Sequence, residues 1–388
     1  MLIFYKTKKY LFDIMLLFLI IFSGSTSSMA EDFDVDTLNL SNDLMDNDIF
    51  FSTDYSFLDY GIKVMAANEK YLWAAGNEDM STLYRSSDYG DTWEKVHTFE
   101  ATIQGMHITP SGVFLVSTSN NRWKKECKGK LWRSEDNGQT FNLSLELNAG
   151  AAINWNIASD SEGFVFVSEY GYKDKPNNAR HIYRSKDSGI TWDIVYAPEE
   201  TEGYHNHVII INKNDSNTIY QSIGDNVKGV IKSTDRGQTW EKIMSGIHPT
   251  SALQIDNNIF WGLDNWPKSG ILKYNLDDES VNYSFIAPKP FSGSIYDMMY
   301  ANGVIYAGLL SYEYNDWDGS IFTSKNKGLT WELFAKCPKY QNTGVGFYKF
   351  TTLGDYGFVW VSLPIKTKNN LHKYQGTIRF KLVESVNS

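Results

Sequence analysis

The chain has 388 residues, of which 42% are hydrophobic and 15% aromatic, which excludes a disordered chain and leaves material for a large core. Its 36 basic and 46 acidic residues give a formal net charge of −10, which argues against a nucleic-acid partner, since phosphate binding needs a basic face. Nine Pro, 29 Gly and two Cys exclude collagen-like filaments, a disulfide framework and a four-thiolate zinc site.

Lys6, Lys8 and Lys9 precede an apolar run at 14–22, and small residues follow up to Ala30. This is the order of a secretory signal peptide over 1–30, so export to a secreted or periplasmic location is expected. The apolar run is too short to span a bilayer, and no membrane span is expected after cleavage. Residues 31–47 are acidic and polar and read as a flexible lead-in.

From residue 48 onwards the chain repeats itself. Five segments share the pattern Ser-x-Asp-x-Gly-x-Thr-Trp with small departures, and they start at Ser86, Ser134, Ser185, Ser233 and Ser324. Successive starts are 48, 51, 48 and 91 residues apart, so one degenerate copy is expected in the last gap, at 270–280. A further one closes the chain at 376–382. Gly supplies the positive φ of a tight turn, while Ser and Asp side chains bond backbone amides inside it. The Trp after Thr is placed to wedge between neighbouring sheets. The pattern is a folding device, not a reaction centre.

Each period also holds four strand-like segments. The second repeat reads 104–109, 113–117, 130–134 and 141–147; the third reads 154–158, 164–168, 181–185 and 192–196. Four short strands per period make a propeller blade. Third strands around Leu83, Leu131, Ile182, Val230, Ile271, Ile321 and Ile378 count seven blades over 48–388. The last blade lacks a fourth strand, and 48–57 is placed to supply it. That closes the ring, removes exposed edges and leaves an all-β monomer.

The five copies resemble the Asp-box (BNR) repeats of sialidase-like β-propellers. The resemblance implies the propeller fold from residue 48 to the C-terminus and leaves the activity open. It does not extend to a sialidase site. An Arg-Ile-Pro motif is absent, Arg85, Arg133, Arg184 and Arg379 sit in third strands, and Arg236 sits in an Asp-box turn. A clamp of three arginines on a carboxylate is hard to build from what remains.

In an up-and-down propeller, the loops entering the inner strands and those joining second to third strands face one funnel, opposite the Asp-box turns. Glu169, Asp225 and Asp264 fall at equivalent loop positions and are expected to form an acidic arc beside His205 and His207. Such an arc admits three chemistries. Paired carboxylates hydrolyse glycosides. His205 or His207, with Tyr170, abstracts a proton next to a uronate carboxylate, as in a lyase. The two histidines with Asp225 or Glu169 make a weak divalent-metal motif, and no other cofactor is expected. The catalytic candidates are therefore Glu169, Asp225, His205, His207 and Tyr170. Tyr172, Trp266 and Trp317 are candidate platforms for a sugar ring, and Asn154, Asn156, Arg122, Asp264, Asp297 and Lys349 candidate hydroxyl and carboxylate contacts. The expected partner is a carbohydrate. The alternative is a non-catalytic scaffold for a protein or cell-surface glycan. Cys127 and Cys337 lie in blades that are not neighbours, so a bridge needs long inward loops.

Overall fold

The structure, a computed structural model, describes residues 50–58, 61–76, 80–124, 126–171, 180–198, 205–224, 227–264, 269–289, 291, 293–311, 319–337, 345–366 and 371–384. Among them there is no α-helix and one 3-10 turn, Asn154–Asn156; nearly everything else is antiparallel strand. Five four-stranded sheets follow one another. The first holds Ile62–Ala67, Leu72–Gly76, Thr82–Ser86 and Glu94–Thr98, and the second Ile103–Ile108, Phe114–Thr118, Lys130–Ser134 and Asn142–Glu146. The third holds Ile157–Ser159, Val165–Ser168, Ile182–Ser185 and Asp193–Tyr196. The fourth runs from Asn206–Ile211 to Glu241–Ser245 and the fifth from Pro249–Ile255 to Val281–Ile286. The fifth contains the degenerate copy as a plain hairpin between Gly270–Asn275 and Val281–Ile286.

The remaining strands join into one nine-stranded sheet. Ser294–Ala301, Val304–Ser311, Gly319–Ser324 and Glu332–Cys337 form its first half; Val345–Leu353, Tyr356–Lys366 and Leu371–Lys381 form its second. The halves are stitched by Leu310 with Gly346 and Ser311 with Val345. The segment expected to complete the last sheet divides its service. Tyr55–Phe57 pairs with Ile378–Phe380, while Phe50–Phe51 pairs with Ala335 and Lys336 in the other half. A run of alternating aromatics explains the split, because Phe51 packs edge-on against both Phe334 and Phe347, one from each half.

Second strands are mostly buried, as in Leu72–Gly76 and Phe114–Thr118, while fourth strands such as Glu94–Thr98 are largely exposed. The first strand of each sheet packs on that of the next, and Val345–Leu353 packs on Ile62–Ala67. Polar side chains knit these neighbours: Ser117 accepts from the Ala152 amide, Ser222 donates to the Pro249 carbonyl, and Thr377 donates to the Ile62 carbonyl.

The repeated turns behave as their sequence dictates. In the first, Ser86 donates to Asp88 at 2.7 Å and accepts from the Gly90 amide at 2.9 Å. Asp88 in turn accepts from the Thr92 amide at 2.9 Å and from its hydroxyl at 2.5 Å. The same bonds recur at Asp136, Asp187 and Asp235, and Asn326 replaces the carboxylate in the last copy. The Thr92 hydroxyl and amide bonds hold the Asp88 carboxyl down at about 2, and the equivalent threonines do the same for Asp136 and Asp235. Two successive residues adopt positive φ: Asn137 at 56° and Gly138 at 79°. At Gly138 a Cβ would sit 3.0 Å from Trp73 of the preceding sheet, so the turn needs glycine for both conformation and packing. The box tryptophans reach the same neighbour. Trp192 donates to Ser144 at 2.9 Å and Trp240 to the Val195 carbonyl at 3.1 Å. Third-strand arginines tie each sheet to the next turn: Arg133 donates to the Ser188 carbonyl at 2.8 Å, Arg184 to that of Arg236 at 2.7 Å, and Arg379 to that of Tyr89 at 3.1 Å.

Candidate functional site

The inner strands and the loops beside them bring aromatic rings together from distant parts of the chain. Trp123 lies 5.4 Å from Tyr170, Tyr170 6.2 Å from Trp155, and Trp155 5.9 Å from Tyr296. The line continues through Tyr348, 6.2 Å further, and ends with Tyr348 stacked on Trp360 at 5.2 Å. Lys63 lies over the Trp360 ring at 4.3 Å. Only Trp123 and Tyr170 come from the loops where platforms were expected. Trp155 comes from the 3-10 turn before an inner strand, Tyr296 and Tyr348 from inner strands and Trp360 from a second strand.

Three histidines stack beside this wall. The His205 and His207 rings lie 5.0 Å apart, and His207 and His248 4.5 Å apart. His205 donates from Nδ1 to the Gly171 carbonyl at 3.2 Å, and His207 from Nδ1 to that of Pro249 at 3.1 Å. A carbonyl only accepts, so both Nδ1 atoms carry hydrogen and the two Nε2 atoms, 3.0 Å apart, face each other. Burial, then the nearby His205 and His248, pull His207 well below the usual histidine range. The Tyr170 ring packs on His205 at 4.5 Å. His248 was not singled out from sequence. Its Nδ1 lies 3.8 Å from Asp264, whose other oxygen accepts from Ser294.

The expected acidic arc is not assembled among the described residues. Glu169 is fully buried, and its carboxylate accepts from the Asn148, Ala149, Arg180 and His181 amides, the Tyr183 hydroxyl and His181 Nδ1, all within 2.7–3.0 Å. Every lone pair is used, so the structure makes Glu169 a hub that holds two loops, not an acid or nucleophile open to a ligand. Asp225, Tyr172, Trp266 and Trp317 lie outside the described residues. Asp297 and Lys349 come together, but in an ion pair at 3.0 Å, with Asp297 also accepting from the Phe350 amide.

The asparagines also differ from expectation. The inner strand expected from Asn154 begins only at Ile157, and 154–156 is a 3-10 turn. Asn156 closes the turn by accepting from the Ile153 amide, and its own amide donates to the His207 carbonyl at 2.5 Å. Asn154 donates to the Met65 and Met106 carbonyls at 2.8 and 3.1 Å. Both are structural bridges between inner strands, because asparagine offers backbone groups an alternative to the ladder. Cys127 and Cys337 are free thiols, the latter buried. No three His, Cys, Asp or Glu side chains converge to hold a metal among the described residues. A groove of about 610 Å³ on the Asp-box side, lined by Arg133, Glu135, Glu162 and Asp187 among others, has these charges already paired or bonded to neighbouring backbone.

Comparison with known proteins agrees with this architecture. A BNR-Asp box repeat model matches residues 83–96, and a model of the sortilin (neurotensin receptor 3) Vps10 region matches residues 129–260. A xyloglucanase of Acetivibrio thermocellus is 25% identical over 323 residues, covering 74% of this chain and 33% of that protein. One from Paenibacillus sp is 25% identical over 319 residues, covering 70% and 30%; the chain thus spans about a third of these relatives. Among solved structures, a xyloglucanase from Xanthomonas campestris superposes with a TM-score of 0.53 at 13% identity, over 72% of this chain and 46% of that one. YCF48 bound to a peptide superposes with a TM-score of 0.56 at 15% identity, over 86% and 98%. The chain carries Asp-box (BNR) repeats, and its fold is similar to the β-propellers of these solved structures.

Proposed function

We propose that this chain is an exported, seven-bladed carbohydrate-active propeller that binds a glycan in its funnel and acts on it there. The single observation that carries the reading is the line of rings from Trp123 to Trp360 beside the His205–His207 pair. Ring faces stack on the apolar faces of sugars, and neighbouring polar groups take the hydroxyls. The weak sequence likeness to xyloglucanases supports the carbohydrate class.

Seven blades are counted by reading the nine-stranded sheet as two, with Tyr55–Phe57 completing the last. Closure is supported by Arg379, which bonds the first Asp-box turn as Arg133 bonds the third. Residues 1–30 supply the export signal, and 31–47 the lead-in to a domain over 48–388. In the funnel, His205 or His207 moves the proton, with Tyr170 and Asp225 as partners. Trp123 and Tyr170 line the bound sugar, joined by Tyr172, Trp266 and Trp317.

The test is a glycan array with a reducing-end and 235-nm product assay on wild type, Trp155→Ala and His207→Ala. Wild type is expected to bind a polysaccharide, with roughly three- to tenfold weaker binding after loss of the Trp155 ring. Turnover is expected to vanish in His207→Ala. No binding and no turnover across acidic and neutral polysaccharides sinks the reading. A second reading, a non-catalytic scaffold for a protein, is favoured by the commitment of Glu169 to structure. Retained glycan binding with no product from any substrate narrows the function to binding, and a captured protein without glycan binding selects the scaffold.

A further inference from the structure

Seven arginines occur in the chain, and five of them are used in the same way. Arg85, Arg133, Arg184, Arg236 and Arg379 each meet a carboxylate: Glu94, Glu135, Asp193, Glu162 and Asp91. Arg180 gives its amide to Glu169 and its carbonyl to Asn206. Arg122 stands apart. Its guanidinium donates from Nη1 to the neutral Gln104 amide oxygen at 2.5 Å, and no described carboxylate pairs with it. Its Nε, like that of Arg184, is shielded from water and makes no hydrogen bond, so the neutral partner at Nη1 is what distinguishes it. A half-buried guanidinium with a neutral partner and a bare, shielded Nε loses hydration that a ligand can restore.

The site is built to keep it so. Gln104 is oriented by donating to Thr102 at 2.7 Å, which turns its oxygen to Arg122. The Trp123 amide donates to Asn121 at 3.0 Å and fixes the turn. The Arg122 carbonyl rests against Gly171, where any side chain would collide with it. The guanidinium lies 5.3 Å from the Trp123 ring and 5.6 Å from that of Tyr170, at the head of the aromatic line. With Nη1 taken, the uncommitted edge is Nε with Nη2, the edge that receives a carboxylate in two parallel bonds. Trp123 is 44% exposed, so the ring beside the guanidinium also meets solvent.

We propose that Arg122 is the receptor for the carboxylate of an acidic sugar, with the sugar ring lying on the Trp123–Tyr170 end of the wall. The substrate class is then a uronate-bearing glycan. This rests on the funnel being the glycan site, and it deepens that reading by naming the charge of the ligand.

The experiment is calorimetric titration of the full chain with an oligogalacturonate, its carboxyl-reduced counterpart and a sulfated neutral oligosaccharide. Wild type is expected to bind the carboxylated ligand at least tenfold more tightly than the reduced one. Arg122→Gln is expected to bind both equally, and Arg122→Lys to recover part of the preference, since lysine keeps the charge and loses the fork. Equal wild-type affinities, or a preference that survives Arg122→Gln, overturn the assignment and leave the glycan reading standing. Sulfated ligand bound as tightly as the uronate overturns the carboxylate. No binding of any of the three overturns both. Where Arg122→Gln melts early, the wild-type ratio and Arg122→Lys decide.

Discussion

The two faces of this molecule use polar residues in opposite ways. On the Asp-box side the same bond is made again and again: serine to aspartate, aspartate to threonine, arginine to the next turn's carbonyl. On the funnel side each polar residue has a private task. Asn154 bridges Met65 and Met106, Asn156 holds His207, and Glu169 gathers two loops. Repetition marks scaffold, and the residues that break it are where the proposed recognition is sought. Glu169 tests this rule hardest, since it sits on the funnel side and serves structure alone.

The largest expected effect comes from that residue. Glu169→Gln puts an amide where backbone N–H groups converge, and should cost about 3–5 kcal/mol of stability, read from the urea midpoint. Unchanged stability with abolished turnover would return Glu169 to the catalytic group and break the contrast. Next, Trp192→Ala opens a gap between the second and third sheets and removes the bond to Ser144, for about 3 kcal/mol. Smaller again, Arg133→Ala leaves the Ser188 carbonyl without its donor, for about 1 kcal/mol.

The smallest effects are read from pH. Burial, then the charge of Lys349, lowers His107 to about 4. The unfolded chain therefore takes up the proton first, and His107 contributes stability above about pH 6.5 that is lost between there and about pH 4. The box aspartates, held at about 2, contribute stability above about pH 4 that is lost as pH falls towards 2. Thermal midpoints across pH 2–8 should show two separate declines, and one merged transition would count against the repeated turns acting alike.

The repeat face was legible because each of its residues does one job in several copies. The turn at Ser86 and that at Ser233 give one reading, and local chemistry is enough for it. Propeller architecture followed from the period. The funnel was less legible because its partners come from other sheets. Nothing near Glu169 in sequence announces that Asn148, Arg180 and Tyr183 will saturate it. Trp155 and Tyr296 are 141 positions apart yet meet across the inner strands. The histidine pair was visible as a His-x-His spacing, but the third ring, His248, arrives from the next sheet.

The divided N-terminal segment sets the timing of folding. Phe50–Phe51 pairs with 335–336 and Tyr55–Phe57 with 378–380, so the first described strands need the last ones. Synthesis delivers these partners long after the segment itself, and contacts of such sequence separation form slowly. The earlier sheets stack while the edges at 332–337 and 371–381 wait uncovered. The clasp made by Phe50–Phe51 and Tyr55–Phe57 therefore stays open until the strands at 332–337 and 371–381 are in place.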